Sequence, residues 1–112
     1  KEVLTVRPEH TLKEALSIMK EHEISQIPVQ DGEDFVGALN EQSILDLMFV
    51  EDMNPDNVKV ENVMGPALKV VDFQMKIKDL IRTMDKKTHA VMTKDWSGKY
   101  HILSQYDLLR SV

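Results

Sequence analysis

Hydrophobic positions repeat along this 112-residue chain at a spacing of about 64 residues. Two apolar quartets have the i, i+3, i+4, i+7 spacing of an amphipathic helix. They are Leu12, Ala15, Leu16 and Met19, and then Ile77, Leu80, Ile81 and Met84. The same register relates Leu39 to Leu103 and Ile44 to Leu108. This steady spacing indicates two copies of one supersecondary unit, and each copy, at roughly 50 residues, is too small to bury much surface alone. We therefore expect the copies to share a core.

In the first copy, alternating and helical patterns predict a strand, a helix, two strands and a helix. Thr11 and Glu14 form an S/T-x-x-E capping box at the start of the first helix. Asp31–Gly32 predicts a hairpin turn, and Pro28 predicts an edge or an end of its strand. The predicted elements are strand 3–6, helix 12–21, strand 24–29, strand 35–39 and helix 40–49.

The second copy has the same predicted order. An acidic stretch containing Asn54 and Pro55 is the predicted linker, and residues 58–64 lead into the second copy. The elements that follow are strand 68–71, helix 77–86, strand 89–92, a turn at 96–98, strand 100–103 and helix 105–112. The sequence thus predicts an α+β domain of two β-α-β-β-α motifs with pseudo-two-fold symmetry. The motifs span residues 1–49 and 64–112, and the linker spans 50–63.

Charge and composition narrow the classes of function. The net charge of −5 argues against nucleic acid or an anionic membrane as a partner. Cysteine is absent, and the four histidines lack the spacing of metal ligands, so we expect no metal site. No apolar run is long enough for a membrane span and no signal peptide is visible. We expect a cytoplasmic location and, because the chain begins at Lys1, a piece of a longer polypeptide.

Several stretches resemble the cystathionine-β-synthase (CBS) domain pair, also called a Bateman module. In the first copy these are ISQIPV and FVGALN, and in the second VENVMGPALKVV and YHILSQYDLL. The family carries a Gly-hydrophobic-x-Thr/Ser-x-x-Asp pattern at the last of these. The linker and the YDLL ending look most similar to the C-terminal regulatory module of a cystathionine β-synthase.

Ser104 and Asp107 carry the chemistry of the predicted site. A hydroxyl where a strand feeds a helix can bind a polar ligand group together with the helix N–H groups. An ionised Asp107 can accept hydrogen bonds from two adjacent ribose hydroxyls. The alternative is that Ser104 only caps the helix and Asp107 only interacts with the helix dipole. The aligned positions of the first copy hold Asn40 and Ser43, so we expect a weak or empty site there.

The resemblance implies an adenosyl ligand, namely S-adenosylmethionine, AMP or ATP, in a cleft between the motifs. The implied ligand-binding residues are Val3, Leu4, Ile24, Ser25, Ile27, His101, Ser104, Tyr106 and Asp107. An acidic residue at the position of Ser25 can hold the ligand's amino group in the synthase family. A serine there lacks the charge, which weakens the case for S-adenosylmethionine. His101 occupies the family's glycine position, where it either crowds or stacks on a base or is a surface histidine.

Three functions follow as hypotheses. The first is a non-catalytic regulatory module with no cofactor of its own, which controls an attached N-terminal catalytic domain, a pyridoxal-phosphate-dependent cystathionine β-synthase. The second is an adenine-nucleotide sensor of another enzyme or a transporter, and the third is a ligand-free dimerisation module. The apolar faces of the flanking helices predict a homodimer. The sequence contains no nucleophile elbow and no glycine-rich phosphate-binding loop, so no motif in it indicates catalysis.

Overall fold

The computed structural model describes residues 3–71, 78–79, 82, 90–104, 107 and 110. Leu4–Ala67 form one compact unit, and the described residues of Lys1–Val3 and Leu68–Val112 form a second. The elements are α1 (Leu12–Glu21), β1 (Gln26–Asp31), β2 (Asp34–Asn40), α2 (Glu41–Phe49), β3 (Val70–Val71), β4 (Ala90–Lys94) and β5 (Tyr100–Ser104). Short 3₁₀ turns span Pro55–Asn57 and Val60–Asn62. The predicted α+β class is confirmed.

Helix α1 begins where the capping box predicted. The Glu14 N–H donates to Thr11 Oγ1 over 3.1 Å, and the Thr11 N–H donates to Glu14 Oε1 over 3.2 Å. Both groups would otherwise be unpaired donors at the helix start. Leu12, Ala15 and Met19 are buried, so the predicted apolar face is the one that packs inward.

The predicted hairpin is formed by β1 and β2, which pair in antiparallel fashion with Ile27 opposite Leu39. Gly32 has a φ of +63° at the first position of the two-residue turn, a conformation that glycine adopts without steric cost. The register shifts between Val29 and Gln30, which leaves one extra residue, Val36, on β2.

The predicted strand 3–6 is wrong, because only Val6 bridges β1. The Val6 N–H donates to the Pro28 carbonyl over 3.1 Å, and the Gln30 N–H donates to the Val6 carbonyl over 2.8 Å. The next rungs of this parallel ladder would need an N–H from Pro28 on one side and from Pro8 on the other. Proline has no N–H, so the ladder ends after one bridge. This is the edge position that was predicted for Pro28.

Helix α2 starts after Asn40, whose Oδ1 accepts a hydrogen bond from the Ser43 N–H over 2.8 Å. Ile44 is fully buried, whereas Leu45 and Phe49 are 38% and 74% exposed. The core of the first unit lies between the two helices and the hairpin. It consists of Val6, Leu12, Ala15, Met19, Ile27, Val29, Leu39, Ile44 and Val60.

Residues 58–65 pack on the first unit, although the sequence suggested that they lead into the second copy. The Val60 side chain is fully buried in the first core, and its N–H donates to the His10 carbonyl over 2.8 Å. Gly65 and Ala38 exchange two backbone hydrogen bonds of 2.9 and 3.1 Å. Along the chain, the boundary between the two compact units therefore falls after Ala67. The motif limits 1–49 and 64–112 describe the sequence repeat and stay a prediction.

In the second unit, β4 pairs with β3 in parallel and with β5 in antiparallel fashion. The Met92 N–H donates to the Lys69 carbonyl over 2.8 Å. Residues 90–93 are buried, and the Val3 N–H donates to the Tyr100 carbonyl over 2.9 Å. The apolar quartet of the predicted helix 77–86 lies outside the described residues, as does most of the predicted helix 105–112.

Candidate functional site

Ser104 and Asp107 contact each other at the end of β5. The Ser104 N–H and hydroxyl both donate to Asp107 Oδ2, over 2.8 and 3.0 Å. The Asp107 N–H in turn lies 3.2 Å from Ser104 Oγ. Both residues are partly buried. This is a reciprocal helix cap, so the structural alternative considered from the sequence is present.

The cap also fixes the orientation of a carboxylate and a hydroxyl at a strand-to-helix junction. A carboxylate has about four lone-pair directions, so Asp107 can accept more hydrogen bonds than the two from Ser104. A hydroxyl can rotate to donate or accept. The arrangement is suited to binding a ligand that presents paired hydroxyl groups.

Ile24 and Ser25 lie at a cavity of about 390 Å³ on the first unit. The cavity is formed by the second half of α1, the loop that follows it and the start of α2. It is lined by Leu16, Met19, Lys20, Glu23, Ile24, Ser25, Glu41 and Leu45. The Ser25 carbonyl accepts a hydrogen bond from the Glu41 N–H over 2.8 Å, which joins the loop to α2.

Glu23 and Glu41 were missed from the sequence, although they place two acidic side chains at the same cavity as Ser25. Glu23 has a φ of +54°, an uncommon conformation for a residue other than glycine, and it reverses the chain after α1. The only sequence signal was the end of the helix pattern near Glu21. The proximity of Glu41 to Ser25 depends on tertiary packing and carried no local signal.

His101 belongs to a hydrogen-bond network centred on Asp95. His101 Nε2 lies 2.7 Å from Asp95 Oδ2, and the two side chains are 24% and 22% exposed. Asp95 Oδ1 accepts from the Ser97 hydroxyl, the Ser97 N–H and the Lys99 N–H at 2.7, 2.9 and 3.0 Å. These contacts hold the β4–β5 turn. The surface-histidine reading is therefore incomplete, because His101 has a defined acidic partner.

The pKa of Asp95 is held well below its usual range. The largest cause is the hydrogen bond from the Ser97 side chain, followed by those from His101 and from the Lys99 N–H. Each of these donors stabilises the ionised carboxylate. The sequence analysis missed this network. Asp and Ser two residues apart commonly mark a turn, and that pattern alone does not predict the contact with His101.

The other predicted site residues are spread over both units. Ile27 is fully buried in the core of the first unit and is absent from the cavity lining, whereas Leu4 is 40% exposed. Val3 is partly buried in the second unit. Tyr106 lies outside the described residues. In the first copy, Asn40 caps helix α2 by accepting a hydrogen bond from the Ser43 N–H. The aligned pair Asn40 and Ser43 contains no carboxylate.

The described residues contain no group of three or more His, Cys, Asp or Glu side chains placed to hold a metal ion. None of the described helices has the length and apolar character needed to cross a membrane.

The family model of the CBS domain matches residues 1–50. This stretch contains the capped helix α1 and the β1–β2 hairpin whose geometry is given above. The chain is thus similar to a CBS domain over these residues. The match agrees with the resemblance carried by ISQIPV and FVGALN.

Two archaeal relatives match nearly the whole chain. An uncharacterized protein of Methanocaldococcus jannaschii is 29% identical over 100% of this chain and 37% of its own length. An uncharacterized protein of Methanopyrus kandleri is 26% identical over 98% of this chain and 58% of its own length. The chain thus spans about a third to three fifths of the curated relatives that it matches.

Solved CBS-domain structures have the same fold. A protein with CBS domains from Burkholderia ambifaria has a TM-score of 0.85 at 20% identity, over 97% of this chain and 81% of its own. A CBS-domain protein of unknown function from Thermoplasma acidophilum has a TM-score of 0.80 at 26% identity, over 98% and 64%. CBSX2, solved in complex with AMP, has a TM-score of 0.74 at 23% identity, over 97% and 86%. These likenesses show the fold of the predicted CBS-domain pair, and none of them ties the chain to cystathionine β-synthase.

Proposed function

We propose that this CBS-domain pair is a non-catalytic regulatory module that binds an adenosine-containing ligand, and that Asp107 holds the ribose. The observation that carries the proposal is the fixed Ser104–Asp107 pair, whose carboxylate and hydroxyl lie at a strand-to-helix junction. The CBSX2 complex with AMP supports the ligand class, since that protein has the same fold.

Among adenosine ligands we propose AMP or ATP before S-adenosylmethionine. Ser25 itself supplies no charge for the amino group of S-adenosylmethionine. Glu23 and Glu41 line the same cavity, but so does the basic Lys20. His101, held by its contact with Asp95, stays a proposed ligand-binding residue on β5.

The regulatory part of the proposal concerns what lies beyond this chain. We propose that ligand occupancy is transmitted to an attached N-terminal catalytic domain, for which a pyridoxal-phosphate-dependent synthase stays the predicted candidate. The exposed Leu45 and Phe49 on α2 support the further proposal of a homodimer through the flanking helices.

Calorimetry with AMP, ATP and S-adenosylmethionine tests the ligand. We expect one nucleotide bound per chain and a loss of about 1–3 kcal/mol of binding free energy in Asp107→Ala, because ribose hydroxyls would be buried without an acceptor. Asp107→Asn keeps an acceptor for the Ser104 N–H and checks that the loss is not caused by a broken cap.

Ser43→Ala is the matched control in the first copy, where we expect almost no change in affinity. Equal losses in the Asp107 and Ser43 variants, two ligands per chain, or no binding of any of the three compounds would contradict the proposal.

A further inference from the structure

The turns of the two hairpins carry opposite charge. The turn between β1 and β2 exposes the acidic Asp31, Glu33 and Asp34, which we call the acidic tip. The turn between β4 and β5 exposes Lys94, Trp96 and Lys99, which we call the aromatic tip. The two turns occupy equivalent places in the repeat, so this contrast is a property of the side chains and not of the fold.

Trp96 is 81% exposed, more than any other large hydrophobic side chain among the described residues. Exposed tryptophan is unfavourable in water, and tryptophan is enriched among the residues that dominate binding energy at protein interfaces. Its turn is already ordered, because Asp95 accepts hydrogen bonds from Ser97 and Lys99 on either side of it. Little backbone entropy would be lost on docking such a preordered turn.

The charges beside Trp96 select an acidic partner. Lys94 and Lys99 flank the turn, and the Lys94 ammonium lies 5.5 Å from the centre of the Tyr100 ring. The only acidic residue within the turn, Asp95, is engaged by the hydrogen bonds described above. A docking segment should therefore present several carboxylates around a small apolar surface.

We propose that the aromatic tip of one chain docks on the acidic tip of a second copy of this chain. The acidic tip offers three carboxylates and, at the nearby bulge, the 39% exposed Val36 as an apolar surface for the indole. Each chain carries both tips, so every copy can supply an aromatic tip and receive one on its acidic tip. This contact is independent of the proposed ligand and of the proposed helix interface.

Trp96 is the only tryptophan of the chain, so its fluorescence reports on the aromatic tip alone. We expect the emission to shift to shorter wavelength, and quenching by acrylamide to weaken, as the concentration rises from low micromolar to near millimolar. Glu33→Lys/Asp34→Lys should abolish the shift, and so should Lys94→Glu/Lys99→Glu. Glu51→Lys/Glu61→Lys, with the same charge change on other exposed sites of the first unit, should leave it intact.

Mixing the two reversed variants provides the decisive measurement. One variant then has two basic tips and the other two acidic tips, so neither associates with itself through the tips, whereas the mixture restores both contacts. We expect the mixture to recover the blue shift, which also shows that both variants are folded. A wild-type emission that does not depend on concentration, a shift that persists in either reversed variant, or a mixture that shows none would overturn the proposal.

Discussion

The two copies of the repeat differ most clearly at the parallel rung beside each hairpin. In the second copy Val70 and Val71 pair with β4, and the Met92 N–H donates to the Lys69 carbonyl. In the first copy the position of Met92 is taken by Pro28, and a single bridge at Val6 remains. The missing N–H of Pro28 thus ends the ladder on the side where the predicted strand 3–6 would lie.

A second difference concerns the glycine of the hairpin's return strand. A Cβ on Gly37 would lie 2.5 Å from Met64 Sδ and 2.8 Å from the Gly65 carbonyl oxygen. The first copy therefore needs glycine so that residues 64–65 can approach β2. The second copy has His101 at this position, and its side chain turns to Asp95 instead. Repeats that share a pattern can therefore support different neighbours on the same strand.

Met92→Pro transfers the first copy's proline into the second and has the largest expected effect. The substitution removes the hydrogen bond to Lys69 and leaves a cavity where a fully buried side chain lay. We expect a loss of about 3 kcal/mol or more in the free energy of unfolding. Met92→Leu keeps the N–H and should cost less than about 1.5 kcal/mol. Urea unfolding followed by circular dichroism compares the two, and equal losses would show that the N–H is unimportant.

Gly37→Ala tests the close approach in the first copy. The new methyl group must displace the Met64 side chain and the Gly65 backbone, so we expect a loss of about 1–3 kcal/mol. Gly65→Ala is the matched control, because its Cβ would meet only the Ala38 carbonyl oxygen at 3.8 Å. Circular dichroism in urea measures both variants. A Gly65 variant as unstable as the Gly37 variant would point to general backbone effects rather than to this contact.

The sequence predicted those features that depend on local pattern. The capping box of Thr11 and Glu14, the hairpin turn at Gly32 and the buried face of α1 follow from residue types at fixed spacing. The strand 3–6 failed because its outcome depended on a proline 22 residues away, beyond any window in which periodicity is read. The packing of Val60 in the first core was equally non-local.

In the candidate site, too, the sequence predicted the features that depend on local spacing and missed those that depend on tertiary packing. Ser104 and Asp107 lie three residues apart and were singled out as a pair from the sequence; the structure shows them in contact. The Asp95–His101 pair spans the β4–β5 turn, and the Glu23 and Glu41 side chains meet at one cavity only because the loop after α1 reverses. Such contacts depend on the pairing of strands and helices, which residue type alone does not encode.

The smallest expected effect concerns the Asp95 network. The aligned positions of the first copy have Gly37 in place of His101 and Glu33 in place of Ser97. The pKa of Asp95 is lower in the folded chain than its ordinary value, chiefly through the Ser97 hydrogen bond. The network therefore stabilises the fold above the unfolded pKa of about 4, and this stability is lost as the pH falls through the folded pKa. We expect the stability advantage of the wild type over Asp95→Asn to shrink steadily below about pH 4.

Urea unfolding at several pH values, followed by circular dichroism, measures this difference. Asp34→Asn removes the same charge from the other hairpin and serves as the control. Its difference in free energy of unfolding from the wild type should not show the pH dependence expected for Asp95→Asn. Ser97→Ala should reproduce part of the Asp95→Asn profile, because it removes the shortest hydrogen bond to Oδ1. An advantage over Asp95→Asn that stays constant down to pH 2 would mean that these hydrogen bonds do not distinguish the ionised carboxylate from the protonated one.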